Sequence, residues 1–123
     1  MESILLSIKK LLGIDEYYDA FDQDLVIHIN SVLTVLNQLG VGPPGGFYIK
    51  DSNDNWTDFI NDDKSIEFIK SYVYMKVRLL FDPPQSSAAI ESMGRLTSEM
   101  EWRIQVAVDP INTTAREEVN NGR

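Results

Sequence analysis

The chain has 123 residues, 43% of them hydrophobic, no cysteine, and a formal net charge of −8 from 11 basic and 19 acidic residues. That length and composition fit one globular domain with a modest core, and they exclude two domains and any disulfide or thiolate chemistry. The charge disfavours binding to a nucleic-acid backbone, and no apolar run approaches the roughly 20 residues that span a bilayer.

The N-terminal segment MESILLSIKKLLG places its lysines after the apolar residues and lacks a small-residue cleavage site, unlike a signal peptide. It predicts a first helix over about Glu2–Leu12, with Ile4, Leu5, Ile8, Leu11 and Leu12 on one side and Gly13 as its C-terminal cap. An acidic, aromatic connector follows over Asp15–Phe21. Asp22 then caps a second helix running to Leu39, whose stripe is Leu25, Ile29, Val32, Leu36 and Leu39. Gly40 ends it, and Val41 is placed to pack back on the last turn.

The interruption Gly40–Asp62 opens with GVGPPGG, which suits neither a helix nor a central strand. FYIK and WTDFI then flank the polar stretch Asp51–Asn55, a pattern that predicts a small β-hairpin. Asp62 or Asp63 caps a third helix, Ser65–Phe81, which ends at Asp82-Pro83-Pro84. This helix carries two apolar stripes. Ile66, Ile69, Val73, Val77 and Leu80 form one, and Phe68, Tyr72, Met75 and Leu79 form the other. Such a helix lies centrally in a bundle or shares a face with another chain. Lys76 falls between the stripes and requires a partner, Glu101 or Glu99 if the last two helices are antiparallel.

The fourth helix starts near Ser86 or Ser87 and runs to about Gln105 or as far as Val108, with Ala89, Ile90, Met93, Leu96, Met100 and Ile104 as its core stripe. A competing period-2 pattern at Trp102, Ile104, Val106 and Val108 puts only its last turn in doubt, since the helical period covers the longer run. From Pro110 the chain is polar and aperiodic, which predicts a tail unstructured in isolation.

Candidate chemistry is sparse. His28 is the single histidine and sits at the edge of an apolar face, where a packed ring is the expected role. No GxSxG motif is present, and the prolines of Gly42–Gly46 remove the N–H donors a phosphate loop needs. Asp51, Asn53 and Asn55 match the first ligand spacings of a calcium loop, but Trp56 replaces the required glycine and Asp62 the bidentate glutamate. Glu99 and Glu101 are two apart on a helix and point in different directions, so they form no catalytic pair. Lys9, Lys10, Lys70, Lys76 and Arg78 are too dispersed for a basic patch, and the acidic surface fits a role in solubility. These observations predict no enzyme activity, no metal and no cofactor.

What stands out is interaction surface. Trp102 and Val106 lie opposite the core stripe of the fourth helix, near Arg95. Trp102 either sits beneath a neighbouring loop or anchors another chain, a role in which tryptophan and arginine are enriched. Arg78, Phe47 and Trp56 complete the candidate protein-interaction residues.

Together the segments IKKLLGI, NSVLTVLNQLGVG, GFYIKDSNDNWTDFI, KSYVYMKVRLLFDPP and SEMEWRIQVAVD resemble the head–tail connector (adaptor) proteins of long-tailed bacteriophages and prophages. The resemblance spans Ile4 to about Asp109, and YVYMKVRLLFDPP followed by EMEWR is its most specific part. It implies a structural subunit, without catalysis, that self-associates into a ring beneath the portal protein. Such a ring extends the DNA channel, through which DNA passes without specific binding, and offers a docking surface to tail completion and head-closure proteins. It places the chain at the head–tail junction of the virion, and in the host bacterial cytoplasm before assembly. No membrane partner is implied.

A ring of subunits of charge −8 repels itself, so apolar contacts or pairing through Arg78, Arg95 and Arg103 must offset the repulsion, and salt or portal docking should strengthen assembly. The tail and the Gly40–Asp62 loop are the segments expected to order on a partner. The resulting expectation is an all-α, four-helix bundle-like domain over residues 1–109 with a small β-hairpin between helices 2 and 3, and a flexible tail over 110–123. The rival function is an acidic phage-encoded inhibitor or regulator of one host protein.

Overall fold

The structure, a computed structural model, describes the backbone of residues 2–121 and the side chains of residues 2–107. Five helices follow one another: α1 Ile4–Leu12, α2 Asp22–Gln38, α3 Trp56–Phe59, α4 Asp63–Phe81 and α5 Ser87–Asn121. The four predicted helices are all present, and α3 is an additional single turn.

Local chemistry sets the helix ends. Ser3 Oγ accepts the Leu6 N–H, and Gly13, at φ 79°, closes α1 with its own N–H on the Lys10 carbonyl while the Ile14 N–H reaches Lys9. Helix α2 begins at Asp22 itself, with Phe21 as the cap residue, and the Val41 N–H returns to the Leu36 carbonyl at 2.9 Å. Asp62 caps α4 by accepting from the Lys64 N–H and the Ser65 hydroxyl. The Ser65 hydroxyl, then the Lys64 N–H, hold its carboxyl below the ordinary carboxylate value. The cap therefore acts fully above that ordinary value and is lost as acidification protonates Asp62 through its lowered one.

Helix α4 is the hub, packing on α2, α5 and α1. Its first stripe enters the core: Ile66, Ile69, Val73 and Val77 are buried with Ile4, Leu5 and Ile8 of α1 and Leu25, Ile29, Leu33 and Leu36 of α2. Leu80, predicted in that stripe, is exposed at the end of the helix. The second stripe divides. Tyr72 is fully buried, Met75 and Leu79 are half-buried, and Phe68 is exposed. Lys70 also ties α4 to the N-terminus, with Nζ 2.7 Å from Glu2 and 3.1 Å from Glu67. Partial burial lowers the affinity of that ammonium for its proton, but the two carboxylates outweigh it and raise the pKa overall.

The predicted β-hairpin is absent. Among the described residues there is no sheet, only one isolated antiparallel bridge, and it joins Ser3 to Asn55 rather than one arm of the loop to the other. The physical reason is that side chains satisfy the backbone groups a hairpin would have paired. Asn30 of α2 accepts the Ile49 N–H at 2.7 Å and donates to the Ile49 carbonyl at 3.0 Å, replacing a cross-strand neighbour. Asp54 Oδ2 takes the Lys50 N–H, and Asp58 Oδ2 takes the Asn55 N–H in a capping box that starts α3 where the second strand was expected. We expect Asn30→Ala to cost about 2 kcal/mol, since it leaves both polar groups of buried Ile49 unpaired, measurable as a lower urea midpoint.

Helix α5 also departs from expectation. Its backbone is helical from Ser87 to Asn121, past the expected end near Gln105, so the helical period prevails over the period-2 pattern at Trp102–Val108. Of its predicted core stripe only Met100 and Ile104 are buried, joined by Thr97, while Ile90 and Leu96 are exposed. The reason is that α4 is the principal helix packed on α5, and one neighbour covers one narrow stripe. The predicted division at residues 109 and 110 falls on side chains outside the described residues.

Candidate assembly surface

The side of α5 turned away from α4 gathers three of the predicted interaction residues. Trp102 is 63% exposed and Val106 46% exposed, so Trp102 lies under no loop. Arg95 is exposed on the same side, and among the described residues its guanidinium reaches Ser92 Oγ at 3.5 Å. Helical spacing puts Arg95, Trp102 and Val106 within about 40° of one another around the axis, at 100° per residue. Arg103, flanking them, is 2.7 Å from Glu99 one turn back.

The opposite side of α5 is locked down. Tyr72 donates to Glu101 Oε2 at 2.5 Å, and Lys76 Nζ lies 3.4 Å from the same oxygen. Burial first, and Glu101 second, raise the Tyr72 phenol pKa well above the usual tyrosine range, so it remains a donor. Lys76 thus finds the carboxylate its position demanded. Glu101, not Glu99, supplies it, because two residues along a helix turn the side chain by about 200°. Beside this clamp, Phe68, Met75, Leu96 and Met100 line an open groove of about 370 Å³ rimmed by Glu99 and Arg103.

The other predicted interaction residues are placed elsewhere. Trp56 is 1% exposed, and its Nε1–H donates to Ser7 Oγ at 2.7 Å, so it anchors the loop to α1 inside the subunit. Phe47 is half-buried against Phe59, ring centroids 5.2 Å apart. Arg78 is half-buried and donates to the Tyr74 hydroxyl at 3.2 Å. The Gly40–Asp62 loop is therefore largely ordered by its own subunit. His28 packs edge-on to Phe81 at 6.2 Å. The calcium-like residues serve the turn, Asp51 Oδ1 accepting the Asn53 N–H at 2.8 Å.

One feature of this surface had no signal in hydropathy. Lys9 is fully buried, and its ammonium donates to the carbonyls of Glu16 at 3.0 Å and Tyr18 at 2.8 Å. Asp22 Oδ1 lies 2.8 Å away as an ion contact without hydrogen-bond alignment. A lysine inside the first helix thereby fixes the α1–α2 connector from within. Only the proximity of IKK to DEYYDAFD in the sequence could have hinted at it. Between the two held carbonyls, Tyr17 projects outward at 86% exposure.

Among the described residues no helix is long and apolar enough to cross a membrane, and no cluster of His, Asp and Glu is placed to hold a metal ion. What the arrangement presents is a helical domain whose longest helix keeps an apolar, arginine-bearing side exposed among the described residues. A family profile described as phage connector protein matches residues 4–110. No curated protein and no solved structure matched the chain. The match covers most of the sequence, and the chain belongs to the phage connector proteins, a structural and non-enzymatic kind of virion component.

Proposed function

We propose that the chain is one subunit of a head–tail connector ring that docks beneath the portal protein, extends the DNA channel and presents the surface to which tail completion or head-closure proteins attach. The observation that carries this is the uncovered side of α5, where Trp102 and Val106 remain exposed although the core is filled by other residues. A tryptophan left mostly in water beside an arginine with no ion partner among the described residues is the composition of a binding anchor. The double-striped α4 fits the same reading, since a subunit with neighbours on both sides needs more apolar face than it buries alone. The charge of −8 per subunit, repeated around a channel, gives a wall from which DNA phosphates are repelled.

The test separates assembly from folding. Trp102→Ala removes an exposed side chain, so thermal stability should change by less than about 0.5 kcal/mol. Loss of a central aromatic anchor should weaken self-association or portal co-purification by about thirtyfold, the equivalent of ~2 kcal/mol. Unchanged assembly by sedimentation and portal pull-down would remove Trp102 from the interface.

A further inference from the structure

The charges of this chain are segregated. Between Ile14 and Ile49 there is no lysine or arginine, and that stretch carries Asp15, Glu16 and Asp19 in the α1–α2 connector and Asp22 and Asp24 in the first turn of α2. Of these carboxylates only Asp22 has an ion partner among the described residues, the buried Lys9. Asp15, Glu16 and Asp19 are exposed in the connector that carries Tyr17, and Asp24 is exposed on α2. Lys9 grips the carbonyls on either side of Tyr17, which fixes the connector backbone before anything binds. A loop held in place from inside, with its aromatic and its acids outside, has the preorganisation that reduces the ordering cost of binding.

The side of α5 described above offers that acidic connector one available cation, Arg95, which stands between Glu91 and Glu99 one turn to either side, with Glu99 already held by Arg103. Arg95 is exposed and without an ion partner among the described residues, and Trp102 and Val106 supply apolar area beside it. A guanidinium matches both carboxylates and tyrosine faces. Because α4 is the principal helix packed on α5, this side is free to take a neighbour. We propose that it is occupied by a second copy of this chain, whose preorganised connector places Glu16 and Asp19 against Arg95 and Tyr17 against Trp102. Two different patches meeting in this way form a heterologous, head-to-tail contact, the kind that closes into a ring when the rotation permits. It also puts opposite charges in contact where the net charge of −8 alone would drive subunits apart. The proposal rests on the self-association put forward above, and it names the two surfaces that make it.

Charge exchange in the full-length chain tests the pairing, read by sedimentation equilibrium over a concentration series, alone and with purified portal. Arg95→Glu and Asp19→Arg should each weaken self-association about tenfold, through like charges brought into contact. The double variant, and an equimolar mixture of the two single variants, should recover wild-type assembly. Both positions are exposed, so circular dichroism melts should be unchanged. If the wild type assembles and neither swap alters it, the pairing is overturned while self-association stands. If the swaps alter portal binding and leave self-association intact, the α5 side belongs to the portal and the second-copy occupant is overturned. A wild type that stays monomeric both alone and on the portal overturns the pairing and the ring together.

Discussion

Lys9→Met should destabilise the subunit by about 3 kcal/mol, although it replaces a charged residue by an apolar one of similar length inside the core. The ammonium of Lys9 is fully buried and satisfies two carbonyls and one carboxylate. Removing one member of a buried ion pair leaves the other uncompensated, at roughly 3–5 kcal/mol, and each orphaned buried carbonyl adds further cost. Asp22 is about one-third exposed, so water relieves part of that loss and the lower end of the range applies. Lys10→Met is the control. Lys10 is exposed and forms no ion pair among the described residues, so its substitution should stay within about 0.5 kcal/mol. Urea denaturation of both variants decides the matter through the midpoint, with the slope unchanged. Equal midpoints for the two variants would contradict the clamp.

Trp56→Ala should cost about 4 kcal/mol, the range for truncating a buried tryptophan. The indole fills the space between α1 and the long loop, and its N–H holds Ser7 Oγ, which in turn donates to the Ile4 carbonyl at 2.9 Å. Trp56→Phe keeps much of the apolar volume and loses the indole N–H, so about 2 kcal/mol is expected from the unpaired hydroxyl and the residual cavity. Differential scanning calorimetry measures both. An unchanged melting temperature for Trp56→Ala, with impaired assembly, would return Trp56 to the surface role that its sequence context predicts. The opposite pattern is expected for Trp102. The two tryptophans thus divide the work, one holding the subunit together and one facing outward.

Hydropathy period and capping chemistry were enough to locate the four long helices, the Gly13 and Asp62 caps and the return of Val41 onto α2. These are local effects, written within four or five residues. That a carboxylate of the last helix pairs with Lys76 was also legible, because a short proline turn makes the two helices antiparallel, but the choice of Glu101 over Glu99 needed the structure. The loop departs from the hairpin pattern of its sequence because its pairing is not local. Asn30 stands 19 positions before Ile49 and substitutes for a strand, and nothing in the alternation of FYIK reveals that. Lys9 was missed for a similar reason. Burial of a lysine depends on acceptors from the next connector, whereas its own helix positions it among apolar residues. Ile90 and Leu96 had the correct period for a core stripe but no second helix to cover them, so periodicity alone overstated the core.

In the proposed connector assembly, this chain meets copies of itself. The most direct measurement is electron microscopy of the full-length chain co-purified with the portal of its own phage. The predicted result is a closed ring coaxial with the portal, with α5 of each subunit against the α1–α2 connector of the next. A portal carrying no such ring, together with a one-to-one complex of this chain and a host protein, would contradict it.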